Sequence, residues 1–549
     1  MRDFSSRLEQ TYAELGTCYA QNPRVLANPQ VQYVPLAFYM DGVAFQWDRK
    51  DGAQGYWIVN LVTGRRHLVA VTRKRHNCRC GCRSWCTSFF VYQYLAWCMQ
   101  VMLEGVYPTE RYDGSSWGNH HLAGFAGQLL SYQGLVVMVK ADWMEFASSL
   151  GFCNWNHHKH PCFACLSRQG AGADPEVHWK RVDGISPLSL PWRPKDQGWY
   201  VAACEAAEHT VDIEDQHLFV RVVAALESDR RSAGAHGRRL VVDVPELGLQ
   251  QGMRLEPSPN HWDVYRVDDW IVDWPGRARL TFWGPQLEQG AHHRNPILDT
   301  ARTGLSVSAF AVDEMHCMHL GVFGDYASCA LWRLILDDPL QVGEAMDDTN
   351  RVRCERLDGE LRAWYARRKA DRLPVNELCE SLWGVIGPSA NPQLHCKAAV
   401  SGDVLRFTVD MVERHFRALT HGEALLAAGR ALKDYLTVTR AAGPILSVSE
   451  RQALVDGCKN FLTFSRKCGV SFKPKHHLYV HLVWSTHVFG NPLRWTSTWV
   501  DEGLNSQLAS VAKGSHPLTW SKRIIATFSH ERGPTATLTR RKRKQEAEG

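Results

Sequence analysis

Apolar and polar positions change rhythm several times along this chain, and each change predicts an element. From about residue 31 to 73 three strand-like runs follow one another: VQYVPLAFYM, GYWIVNLVT and RHLVAVTR. Turn-rich DRKDGAQG and then GR separate them, the pattern of an antiparallel meander. SFFVYQYLAWCMQVMLEG reads as a helix that is apolar on nearly all faces and therefore well buried. A fully apolar fourth strand, GLVVMV, comes next, followed by the helical DWMEFASSLGF. Residues 166 to about 300 are rich in Gly, Pro and polar residues, with strand-like pieces such as RRLVVDV and RARLTFW. From 313 to 470 apolar residues recur every three or four positions, as in packed helices. HHLYVHLVW and the amphipathic WVDEGLNSQLASVA close the pattern.

Three strands, a helix, a strand and a helix is the order of a ribonuclease-H-like core, in which the first and fourth strands lie side by side. The expected fold is α/β: such a core, with a mixed five-stranded sheet and helices, interrupted by a large, mainly helical insertion. At 549 residues the chain exceeds one simple core. The expected organisation is an N-terminal extension (1–30), the first part of the core (31–165), an irregular, β-containing insertion (166–310) and a helical insertion domain (311–470). The second part of the core with its late helix (471–532) and a disordered basic tail (533–549) follow.

Three acids stand where this order would bring them together. Asp41 ends the first apolar run, Asp142 follows the fourth, and Glu502 opens the amphipathic helix. Two carboxylates at strand ends and one from a helix can hold two divalent cations, Mg²⁺ or Mn²⁺, that clamp the attacking and leaving oxygens of a phosphodiester. Asp501 is adjacent to Glu502, but neighbouring helical residues point about 100° apart, so one of the two faces the metals and Glu502 is expected to. In DEMHCMH, Asp313 and His316 share a helix face. His316 is a candidate active-site residue near the scissile phosphate, with Asp313 orienting its imidazole. Asp313 also reads as a helix cap, and both roles can hold together.

The chain starts without an apolar segment of the signal-peptide kind and has no run of about 18 apolar residues, so neither secretion nor a membrane span is expected. Its 17 Cys then belong to a reducing compartment, as metal ligands or core residues. Cys162 and Cys165 form a C-x₂-C pair, and a structural Zn²⁺ needs four ligands. His476 and His481, ahead of Glu502, supply the other two; His477 with His481 is the alternative if the segment is helical. Such a zinc would staple the flank of Asp142 to the flank of Glu502. The bland alternative is core cysteines beside surface histidines. A second cluster, Cys78, Cys80, Cys82 and Cys86, resembles a small metal-binding turn in which His76 could replace one thiol. Arg79 and Arg83 between its thiols would face a phosphate backbone.

A net charge of +6 does not by itself indicate nucleic acid. The 21 Trp suggest a broad aromatic core or a surface that stacks on bases. Arg65, Arg66, Arg73, Lys74 and Arg75 cluster near the sheet edge as candidates for backbone contacts. The uninterrupted run Arg540, Arg541, Lys542, Arg543 and Lys544 fits a nuclear localisation signal or a backbone-binding tail, or a merely solvated terminus.

Taken in order, these blocks resemble the CACTA (En/Spm-like) DNA transposases of the DDE superfamily. FYMDGVAFQWDRKDGAQGYWIVNLVTGRRHLVAV is similar to their first catalytic segment, and VVMVKADWMEFASSLGF followed by HPCFAC to their second. VDEMHCMHLGV resembles their acid-x₂-His motif, and KPKHHLYVHLVW with GNPLRWTSTWVDEGLNSQLASVAKG their closing segment. The Cys pair with a later H-x₄-H also resembles the Transib and V(D)J recombinase arrangement. The resemblance covers roughly 31–166 and 311–530. It implies that Asp41, Asp142 and Glu502 are the metal-binding triad and His316 their neighbour. It further implies transposon ends and target DNA as partners, strand cleavage and transfer as the activity, a homo-oligomer, and a nuclear location. Only about 30 residues precede the first strand, so the usual N-terminal DNA-binding module is not expected in this chain. A zinc-stabilised, inactive nucleic-acid-binding remnant and a nuclease on the same core are the competing readings.

Overall fold

The computed structural model describes residues 2–45, 51–77, 85–152, 154–155, 161–169, 178–180, 190, 192–213, 254–255, 278–283, 294–337, 349–368, 394 and 396–530. Its centre is a mixed five-stranded sheet. The strands are β1 (Tyr33–Ala44), β2 (Gly52–Asn60), β3 (Arg66–Arg73), β4 (Gln133–Lys140) and, far along the chain, the two-residue β8 (Phe310–Ala311). Their order is β3-β2-β1-β4-β8. The first three pair antiparallel; β4 joins β1 in parallel and β8 joins β4 in parallel. A second, three-stranded antiparallel sheet is built from β5 (Glu208–Ile213), β6 (Arg254–Leu255) and β7 (Ala278–Trp283).

β1 is central, and its apolar run is explained by burial on both faces. Side chains alternate between faces along a strand. Phe38, Met40, Tyr56 and Ile58 therefore join one core cluster, and Tyr39, Trp57 and Val59 the other. The first cluster is completed by helix α2 (Trp85–Glu104), whose Tyr92, Leu95 and Met99 are buried; α1 is the N-terminal helix Arg2–Leu15. The second is completed by α10 (Trp499–Lys513) and α11 (Trp520–His530) through Leu508, Trp520, Ile524 and Phe528. Burying each such large side chain contributes roughly 1.5–3 kcal/mol, which fixes both late helices on the sheet.

α3 (Trp143–Ser148) follows β4 directly. The helical region comprises α4 (Phe323–Leu336), α5 (Thr349–Arg367), α6 (Ala398–His415), α7 (Gly422–Ala441) and α8 (Val448–Lys467). Their buried Tyr326, Val404, Leu432 and Phe461 belong to the same cluster as the sheet's first face. HHLYVHLVW lies in helix α9 (Pro474–Trp484). No described helix is long and apolar enough to cross a membrane.

Candidate active site and metal centre

Tyr39 on β1 pairs with Lys140 on β4, so Asp41 and Asp142 each lie two residues beyond one register pair, at one edge of the sheet. β1 leaves the core there: every residue from Tyr33 to Met40 is buried, and exposure begins at Asp41. Asp142 caps α3, its Oδ1 accepting from the Glu145 amide at 2.7 Å. Asp41 Oδ1 accepts from the Gly42 amide at 2.7 Å, and Oδ2 from Tyr39 Oη at 3.0 Å and Asn505 Nδ2 at 2.6 Å. Asn505 and Glu502 are both on α10, so the Asn505 bond ties the helix that carries Glu502 to Asp41. Burial, then the charges of Glu502, Glu145 and Asp142, push Asp41 up to about 8. Burial also raises Glu502, against the opposing influence of His316.

His316 comes from a π-helical stretch, Met315–Val322, a wide turn that occurs often at functional sites. Asp313 accepts from the Met315 and His316 amides at 3.1 and 3.3 Å and hydrogen-bonds His316 Nδ1, so it caps the turn and orients the ring at once. The same carboxylate accepts from the Thr498 amide at 3.0 Å and Thr498 Oγ1 at 2.8 Å, tying this turn to the residue before α10. His316 Nε2 then lies 3.9 Å from Glu502 Oε1. Burial opposes a charge on His316, but the Asp313 hydrogen bond and charge, helped by Asp142 and Glu502, raise it to about 9.

The neighbouring acids of α10 part as helical geometry requires. Asp501 is fully buried, paired with Arg66 Nε at 2.6 Å and Lys140 Nζ at 2.5 Å, which anchors α10 to β3 and β4. Glu502 faces His316. This corrects the expectation for Arg66, whose guanidinium is held by Asp501 and the Gly64 carbonyl rather than left for DNA. Arg73 is corrected likewise: it is buried, paired with Asp51 at 2.7 Å and lies over Phe45 and Trp520. Arg65, Lys74 and Arg75 are exposed. Cys78, Cys80, Cys82, the Cys86 side chain and the basic run from Arg540 to Lys544 lie outside the described residues.

Sequence reasoning missed a fourth acid. Glu145, three residues after Asp142, accepts through Oε2 from Gln54 Nε2 at 2.6 Å and Ser149 Oγ at 2.5 Å. The signal present was the D-x-x-E spacing, which an ordinary acid in a helix's first turn also explains. A cavity of about 550 Å³ adjoins the site, and Asp142, Asp313, His316, Trp143, Lys473 and Lys475 are among the residues that line it.

The thiols form the tighter constellation. Cys162, Cys165, His477 and His481 are all buried, with ligand atoms within 4.8 Å of one another. Among the described residues this is the group of three or more His, Cys, Asp and Glu side chains that could share one ion. The carboxylates at the sheet edge are neighbours that do not close to that degree. His477 Nδ1 donates to the Trp179 carbonyl at 2.9 Å, which leaves Nε2 with its lone pair, 3.4 Å from Cys165 Sγ and 3.1 Å from His481 Nε2. Cys162 Sγ accepts from the Ala164 amide at 3.3 Å. Burial pushes the Cys165 thiol up; it opposes the Cys162 thiolate too, but Cys165, His481 and His477 outweigh it and bring Cys162 down.

His476 is not part of this group, a correction with a plain cause. In a helix, residues five apart point about 140° apart, whereas residues four apart are within about 40°. His477 and His481 therefore share a face of α9. His476 stacks on Phe461 and accepts from the Lys473 amide at 2.8 Å. The chain matches no known family model and no curated protein.

Proposed function

We propose that this protein is the catalytic core of a transposon-derived, DDE-type DNA transposase of the CACTA kind, with Asp41, Asp142 and Glu502 as its metal-binding triad. The observation that carries the reading is the junction at the sheet edge: two acids two residues beyond one parallel register pair, with a third on a late helix whose Asn505 is hydrogen-bonded to the first. The strand order and its antiparallel, antiparallel, parallel, parallel pairing fit a ribonuclease-H-like core with insertions between its parts.

The donor set suits hard cations, because every group at the edge is a carboxylate. Bound there, Mg²⁺ or Mn²⁺ would acidify an attacking water and neutralise charge on a phosphodiester. His316, kept protonated by Asp313, places positive charge beside Glu502, where a phosphate oxygen would be stabilised. Exposed Arg65, Lys74 and Arg75 would position the DNA backbone. A homo-oligomer in the nucleus follows from the resemblance.

The Cys₂His₂ group fits structural zinc. A tetrahedron with Zn–S near 2.3 Å and Zn–N near 2.1 Å separates its ligands by about 3.3–3.8 Å, compatible with the distances found. That zinc would hold Cys162 and Cys165, close in sequence to Asp142, to α9 ahead of Glu502.

One observation favours a second reading, a zinc-stabilised, non-catalytic nucleic-acid-binding remnant: the thiol–imidazole group is tightly closed and the carboxylates are not. The two part on the products formed from labelled duplex DNA carrying the ends of the encoding element, incubated with Mn²⁺. Strand joining after cleavage is expected. Cleavage without joining would favour a nuclease, and binding alone the remnant.

A further inference from the structure

Two lysines flank Pro474 at the start of α9, and the fold treats them differently. Lys473 is paired with Asp325 at 2.5 Å. Lys475 crosses the π-helical stretch at Gly321, where a Cβ would lie 2.4 Å from the lysine Cδ and 3.1 Å from its Cβ. Any residue larger than glycine at 321 would push this stem aside. At its end Nζ donates to the Leu320 carbonyl at 2.7 Å, a neutral acceptor. Among the described residues no carboxylate forms an ion pair with it. The acids nearby are engaged elsewhere: Asp325 with Lys473, Asp313 with His316 and Thr498, and Asp142 with the Glu145 amide. A half-buried ammonium held by a carbonyl alone has lost water without gaining an anion, and a bound anion would restore the balance.

Lys475 belongs to the wall of the cavity of about 550 Å³ beside Asp142 and His316. That volume falls within the range of about 300–1,000 Å³ usual for ligand pockets. Much of the remaining wall is apolar, and Met144, Trp155 and Leu320 in it are exposed although each is large. Trp143 lines it as well, directly after Asp142. Exposed apolar side chains gathered at one cavity mark a surface that a ligand covers. An unpaired cation and indole rings in one wall fit a ligand with an anionic end and a flat ring. A nucleotide has both.

We infer that this cavity binds one nucleotide of the DNA strand, its phosphate on Lys475 and its base against Trp155. The assignment to DNA rests on the transposase reading above, whereas the nucleotide chemistry rests on the cavity alone. A base inside a duplex cannot reach such a wall, so the nucleotide taken is one that has left the stack beside the cleavage position.

The probes are deoxyadenosine 5′-monophosphate and deoxyadenosine, added to the full-length protein without divalent cations and followed by saturation-transfer NMR. The monophosphate should bind at least about tenfold more tightly than the nucleoside, with the largest transfer at its ring protons. Lys475→Met should erase that advantage and leave nucleoside binding unchanged, whereas Lys475→Arg, which keeps the charge, should retain it. Trp155→Ala, at an exposed position, should weaken both probes by at least about fivefold. Equal affinity of the parent for both probes, a Lys475→Met protein that still tells them apart, or unchanged binding in Trp155→Ala would overturn the inference. Duplex DNA carrying the element's ends should displace the monophosphate, and a bound duplex that leaves it in place would overturn the assignment to DNA. None of these measurements reads cleavage, so failure of the triad to cut DNA is seen separately.

Discussion

Asp313 does more at the residue level than any other side chain near the site. It caps the π-helical turn, orients His316 and holds Thr498, so one carboxylate sets the distance between His316 and Glu502. Asp313→Asn should remove the largest of the influences that keep His316 protonated against burial, so its pKa should fall from about 9. An NMR titration of the imidazole reads this directly; a ring that titrates near 9 in both proteins would contradict it. The sign for stability follows from linkage. The folded value lies above the unfolded one, so the contribution of His316 is complete below pH 6.5 and is lost as pH rises through about 9. Asp313→Asn should flatten that decline. The i, i+3 spacing of Asp313 and His316 was legible in the sequence, and so was the parting of Asp501 and Glu502. The Thr498 link was not, because no local pattern reports a contact 185 positions away.

Elements were legible in proportion to their length and periodicity. The continuous run before Asp41 marked a strand, and β1 to β4 formed in the expected order. β8 was invisible, since two residues carry no period, yet it extends the sheet beside β4. The π-helical stretch has no sequence signature either. In α9 the residues KHHLYVH offered two possible pairs, and helix geometry selects His477 with His481. The purified protein should therefore carry stoichiometric zinc by elemental analysis. His477→Ala or Cys162→Ser should lose it and melt lower, because structural zinc contributes directly to folding. His476→Ala should keep it, at the cost of a stacking contact with Phe461. Zinc retained in His477→Ala would contradict the assignment.

For the whole molecule the problem is return: α10 must reach β1 and β4 after hundreds of intervening residues. Three links do this. Asp313 binds Thr498, Asp501 binds Arg66 and Lys140, and the Cys162–Cys165 pair meets His477 and His481 on α9. Cys and His spacing announced the last of them. The first two depend on which acid faces which cation in three dimensions, and adjacent Asp-Glu or scattered Arg residues do not specify that. The same ambiguity explains why Arg66 and Arg73 read as DNA contacts and are in fact ion-paired within the fold. On the proposed reading these links gather Asp41, Asp142 and Glu502 into one site, and the central claim is that this site cleaves phosphodiesters with bound metal. The most direct measurement is single-turnover, Mn²⁺-dependent cleavage of a labelled duplex by the parent protein and by Asp41→Asn, Asp142→Asn and Glu502→Gln. Each substitution should lower the rate at least about 10³-fold while zinc content and DNA binding are kept. A parent protein that binds the duplex without cutting it, or a triad variant that cuts at the parental rate, would contradict the account.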